Sequence, residues 1–69
     1  MTDYDAIGIC EGFVANPGKT EEEQNTIELA AWQHLIDTGL CWQLQRWFGR
    51  RAHDLLTGGA CTPAKEQSG

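Results

Sequence analysis

The sequence predicts an all-α fold: a small bundle of about three short helices, completed by oligomerisation. Three observations predict it. Thr20 is followed three residues later by Glu23, the pattern of a capping box. Behind it, Ile27, Ala31 and Leu35 form one apolar line at helical spacing, widened by Trp32 and Ile36. The stretches HLIDTGLC (34–41) and DLLTGGAC (54–61) then echo each other, pairing Leu35 with Leu55, Ile36 with Leu56, Gly39 with Gly59 and Cys41 with Cys61. That echo describes two helices that end the same way, stacked like one unit of a repeat protein. A chain of 69 residues makes one domain at most, with a marginal core. Chains of this size gain stability from disulfides, a metal or a partner chain. The expected division is a helical domain over residues 1–61 and a disordered polar tail over 62–69.

The first element is TDYDAIGICEGFV. Thr2 caps it, Asp3 and Asp5 suit its first turn, and Tyr4, Ile7, Cys10 and Val14 recur at helical spacing. Gly8 and Gly12 weaken it, each by about 1 kcal/mol against alanine. ANPGK breaks the chain, because Pro17 disfavours the helical conformation at Asn16. The second helix is predicted from about Glu21 to Thr38. Glu21 and Glu22 sit where the helix dipole favours acids, Gly39 caps the end, and Leu40 makes the apolar contact beyond it. Residues 40–48 lack clean alternation, so a turn with a short helix and an extended piece both stay open. Gly49 starts or interrupts the next element. A last helix holds Ala52, Leu55 and Leu56 on its inner face and ends at Gly58 or Gly59.

Charge and cysteine content narrow the function classes. Residues 1–37 carry eight acids (Asp3, Asp5, Glu11, Glu21, Glu22, Glu23, Glu28, Asp37) against Lys19, and the remainder carries Arg46, Arg50, Arg51 and Lys65 against Asp54 and Glu66. An acidic chain without a broad basic face is not expected to bind nucleic acid directly. No stretch is long enough for a membrane span. Cys10, Cys41 and Cys61 make an odd set with no close pair and no signal peptide ahead of them, which predicts reduced thiols in a cytosolic protein. No cofactor is expected. A zinc site on Cys41, Cys61 and a histidine lacks the usual close ligand pair, so no metal is expected either. His34 and His53 lie on separate elements, and His53 diverges from its helical neighbour Asp54. Catalysis is therefore not expected.

The candidate site is LCWQLQRWFGRRAHDLL, residues 40–56, which gathers Trp42, Trp47, Phe48, Arg46, Arg50 and Arg51. Arginine forks grip phosphate or carboxylate at two points. Aromatic faces stack on bases, and Gln43 and Gln45 match amide or base edges. Gly49 lets a backbone N–H approach an anion, helped by a helix N-terminus near it. The candidate ligand-binding residues are Trp42, Gln45, Gly49 and Arg50. Trp47 and Phe48 are adjacent and cannot face one direction, which makes them candidate interface residues. The plainer reading puts Trp42 in the core and the arginines in a solvated face or in ion pairs with the acidic helix.

Residues 32–61, WQHLIDTGLCWQLQRWFGRRAHDLLTGGAC, resemble a family of very small proteins encoded by tailed bacteriophages, with the core LIDTGxxWxLQxxxGRxA. The resemblance rests on Gln33, Leu35, Ile36, Asp37, Thr38, Gly39, Trp42, Leu44, Gln45, Gly49, Arg50, Ala52, Leu55, Gly59 and Cys61. The chain departs from the pattern at Arg46, where glycine is usual, at Trp47 and Phe48, where a variable residue and a tyrosine are usual, and at Trp32, which replaces phenylalanine. The departures point away from Arg46 and Trp47 as shared functional residues and toward Gln45, Gly49 and Arg50, with Trp42 as wall or core. The family is mostly of unknown function. The resemblance implies a phage protein acting by binding in the host cytoplasm. Its expected partner is a small nucleotide-like signalling ligand that it sequesters. The alternatives are a host defence or transcription enzyme inhibited by the acidic face, and a role as a small virion or assembly component.

Overall fold

In the computed structural model, which describes residues 1–64, three helices run in order: α1 (Asp3–Glu11), α2 (Glu21–Thr38) and α3 (Arg46–Thr57). A 3-10 turn at Leu40–Trp42 joins the last two. Among the described residues there is no strand, and the all-α expectation holds.

The predicted start signals act as written, with one shift. Thr2 Oγ1 accepts from the Asp5 amide at 3.1 Å and Thr20 Oγ1 from the Glu23 amide at 3.0 Å. In a standard capping box the returning carboxylate accepts from the capping residue's own N–H. Here Glu23 Oε1 accepts from Lys19, one residue earlier, at 2.9 Å. The loop before α2 is fastened further. Asn16 donates to the Gln24 carbonyl and accepts from the Gly18 amide, and the Gln24 side chain donates to the Gly18 carbonyl. The stop signals act too. Gly12 and Gly39 both take positive φ at the ends of α1 and α2. Gly59 repeats the backbone angle of Gly39, φ 82° against 81°, and Cys41 and Cys61 are both buried just beyond. The twenty-residue echo therefore has a structural counterpart.

One core sits around α2, which supplies Ala31, Trp32, Leu35 and Ile36, the side predicted from its periodicity. Ala6 of α1, Cys41 of the turn, Phe48, Ala52 and Leu55 of α3, and Cys61 close on it. Trp32 spans the gap between α2 and α3, with its ring centroid 5.7 Å from that of Phe48 and 6.2 Å from that of Trp47. No helix is long and apolar enough to cross a membrane among the described residues.

Three local expectations need correction. The buried residues of α1 are Ala6 and Gly8; of the predicted line, Ile7 and Cys10 pack partly buried against the core, whereas Tyr4 is 76% exposed. Small residues decide this: Ala6 lets α1 approach α2, and a Cβ at Gly8 would collide with the side chain of Val14. Gly8 is thus a packing requirement as well as a weak helix former. Next, α3 begins at Arg46, not after Gly49, which lies within its first turn and a half. The last correction concerns the tail predicted from residue 62. The Thr62 amide donates to Gln33 Oε1 at 2.9 Å, and Gln33 Nε2 donates back to the Thr62 carbonyl at 2.8 Å. Residues 65–69 lie outside the described residues.

Candidate functional site

The turn at Leu40–Trp42 sets the geometry of the site. The buried Cys41 anchors it, and the amides of Gln43 and Leu44 both donate to the Leu40 carbonyl. Trp42 is thereby turned outward and is 53% exposed, so its role is that of a wall and not of core. Its ring lies against Gly49. A Cβ built at Gly49 would meet Trp42 Cε3 at 3.5 Å, an ordinary contact.

Around that ring an open groove of about 540 Å³ is lined by Trp42, Arg46, Gly49, Arg50, His53 and Asp54. Apart from Trp42, the lining residues are one face of α3, since positions three and four apart on a helix are neighbours. Three of the four residues predicted to bind ligand, Trp42, Gly49 and Arg50, are therefore together. The fourth, Gln45, is not in the lining. Its Oε1 accepts from Trp47 Nε1 at 3.2 Å, so Gln45 positions Trp47 instead. The expected role of Gly49 changes as well. It does not open a helix toward an anion; it gives the Trp42 ring a flat seat.

Arg46 joins the groove, against the expectation drawn from its departure from the resemblance pattern. His53 and Asp54 line the groove without a local sequence signal for it. The signal that finds them is the spacing 46, 49, 50, 53, 54, which becomes legible only once residues 46–49 are known to be helical. The alternative of ion pairs between the arginines and the acidic half is not realised. Among the described residues the one salt bridge is His34 Nε2 to Asp3 Oδ1, at 2.6 Å, which ties α2 to α1.

Trp47 and Phe48 separate as their adjacency requires. Trp47 is 41% exposed, and its ring stacks on that of Phe48 at 4.0 Å. Phe48 is 1% exposed. The expectation that Phe48 serves an interface is corrected on that burial, because it has no surface left to offer; Trp47 keeps an outward edge.

The thiols are free. Burial pushes the Cys10 thiol up to about 12, with Glu28 adding to the shift. Burial raises Cys41 and Cys61 too, Cys61 also through Asp37. A thiol so shifted is neutral near pH 7 and a poor nucleophile. No group of three or more His, Cys, Asp or Glu is placed to hold a metal among the described residues.

The second charged surface is the start of α2, where Glu21, Glu22 and Glu23 are all exposed. Residues 13–68, which include the whole of the groove, match a protein family described as a domain of unknown function, DUF7417. No curated protein and no solved structure matches the chain.

Proposed function

The chain belongs to the DUF7417 family, and we propose that it is a phage-encoded, non-enzymatic binding protein that sequesters a nucleotide-derived ligand in the groove between Trp42 and Arg50. The observation that carries the reading is an exposed indole seated on Gly49 with Arg46 and Arg50 beside it, neither arginine paired with an acid among the described residues. The exposed indole leaves a stacking face open to solvent, and two like charges one helical turn apart repel by a few tenths of a kcal/mol. A planar anion relieves both: its ring stacks on Trp42 and its phosphate bridges the guanidinium groups. The raised thiols and the engagement of His34 with Asp3 support binding rather than catalysis. The resemblance to tailed-phage proteins supports the host cytoplasm as the place of action, with removal of a defence signal as the purpose. Self-association completes the picture, with the outward edge of Trp47 as its contact.

Thermal shift and calorimetry against cyclic dinucleotides, ADP-ribose derivatives and mononucleotides test the proposal. Stabilisation by at least one of them, abolished by Arg50→Ala, is expected. Silence across the panel overturns it.

A second reading is an acidic inhibitor of a host enzyme, favoured by the three exposed glutamates that open α2. It predicts a host protein captured by the wild type and lost when Glu21, Glu22 and Glu23 become lysine, with Arg50→Ala harmless.

A further inference from the structure

The groove is not uniformly basic. Arg46 and Arg50 lie one turn apart, and Asp54 lies one turn beyond Arg50. At 1.5 Å per residue each step is about 6 Å along the axis, so charge runs positive, positive, negative over about 12 Å. Trp42 against Gly49 sits beside the positive part.

Asp54 is exposed and stands four residues after Arg50 and three after Arg51, the spacing of attractive pairs on a helix, yet it closes no salt bridge with either. It stands in the last turn of α3, which contains no basic residue. A carboxylate there opposes the helix dipole. Its side chain makes no hydrogen bond or salt bridge among the described residues, although its backbone carbonyl accepts from Gly58. An ionised carboxylate only accepts hydrogen bonds, so that end of the groove asks for donors and repels anions.

We propose that Asp54 gives the groove a direction: it takes a ligand with one anionic group at the Arg46–Arg50 end and hydroxyl donors about one helical turn away, and it rejects extended polyphosphates. The inference rests on the nucleotide-binding reading above and adds the ligand class. A nucleoside monophosphate has the required layout, with phosphate on the arginines, base on Trp42 and the sugar diol on Asp54. A triphosphate running along α3 brings further negative charge to the carboxylate.

Calorimetry separates the layers. The titrants are AMP, 2′-deoxy-AMP, ATP and inorganic phosphate, against the wild type and Asp54→Asn. The wild type is expected to prefer AMP to ATP and to lose about tenfold in affinity with 2′-deoxy-AMP, the worth of a hydrogen bond to a charged acceptor. Asp54→Asn is expected to bind ATP about tenfold more tightly, from one charge removed at partly exposed range. ATP bound as tightly as AMP by the wild type, with the ratio unmoved in Asp54→Asn, overturns the assignment of Asp54 while leaving a nucleotide site intact. No heat from any of the four titrants overturns this inference, and the cyclic dinucleotide and ADP-ribose arms then decide the broader reading separately.

Discussion

Replacing Phe48 with alanine should remove most of the stability of the protein. Phe48 is the largest fully buried side chain, and its ring touches both tryptophans that bridge α2 and α3. Truncating a buried phenylalanine costs about 3–5 kcal/mol through lost transfer energy and the cavity left behind. The stacked pair with Trp47 and the tilted pair with Trp32 place the expected value at the upper end, because each such pair is worth about 0.5–1.5 kcal/mol beyond its area. A chain of 69 residues holds only about 3–10 kcal/mol in total. Urea unfolding followed by far-UV circular dichroism reads the difference. With a slope of about 1 kcal/mol per molar, as for small domains, the midpoint should fall by about 5 M or the variant should be unfolded without denaturant. Phe48→Leu, which keeps most of the volume but loses both ring pairs, should lose about 1–3 kcal/mol. A Phe48→Ala protein with its midpoint within about 1 M of the wild type would refute the placement of this ring between the helices.

The same structure sets three further outcomes. Gly39→Ala forces a Cβ into a left-handed conformation at φ 81° and should lose about 1–2 kcal/mol, whereas Gly49→Ala meets Trp42 at ordinary distance and should gain up to about 1 kcal/mol from helix propensity; thermal melts of both check the contrast. Gln33→Ala releases the Thr62 backbone and should cost about 1–2 kcal/mol, with hydrogen exchange at the Thr62 amide rising to the rate of an open chain. The Cys10 thiol is held neutral in the fold up to about 12 against 9.0 in the open chain, so its contribution is fully present below pH 9 and is lost as pH climbs toward 12. Alkaline unfolding followed by circular dichroism should therefore be less steep in Cys10→Ala over that window, and identical curves would remove Cys10 as a cause.

The fold was legible where a local signal carried a mechanism. Thr20 with Glu23 marked the start of α2, Gly39 marked its end, and the line through Ala31 and Leu35 named the face that is buried. The shared ending of α2 and α3 was readable from the repeated glycine and cysteine. The start of α3 was not, because Gln45 makes no side-chain cap and Gly49 reads as a break. The helix runs through Gly49, against which the indole of Trp42 packs, arriving from a turn whose direction no spacing reveals. The same turn decides that Trp42 faces water. Arg50, Gly49 and Trp42 were legible as site residues by chemistry alone; Asp54 and His53 needed the helical register, and Gln45 was lost to a hydrogen bond with its neighbour Trp47. On α1, Tyr4 was the misleading signal, since the tight approach that buries Ala6 and Gly8 comes from smallness and not from apolar size.

The most direct measurement of the central claim is a ¹⁵N–¹H correlation spectrum recorded while the nucleotide panel is titrated. Each of the three tryptophans contributes one indole signal. The Trp42 indole and the amides of Gly49 and Arg50 should shift together along a single saturating curve, while the core indole of Trp32 stays in place. Shifts confined to Glu21, Glu22 and Glu23, or a Trp42 signal that never moves with any ligand, would contradict it.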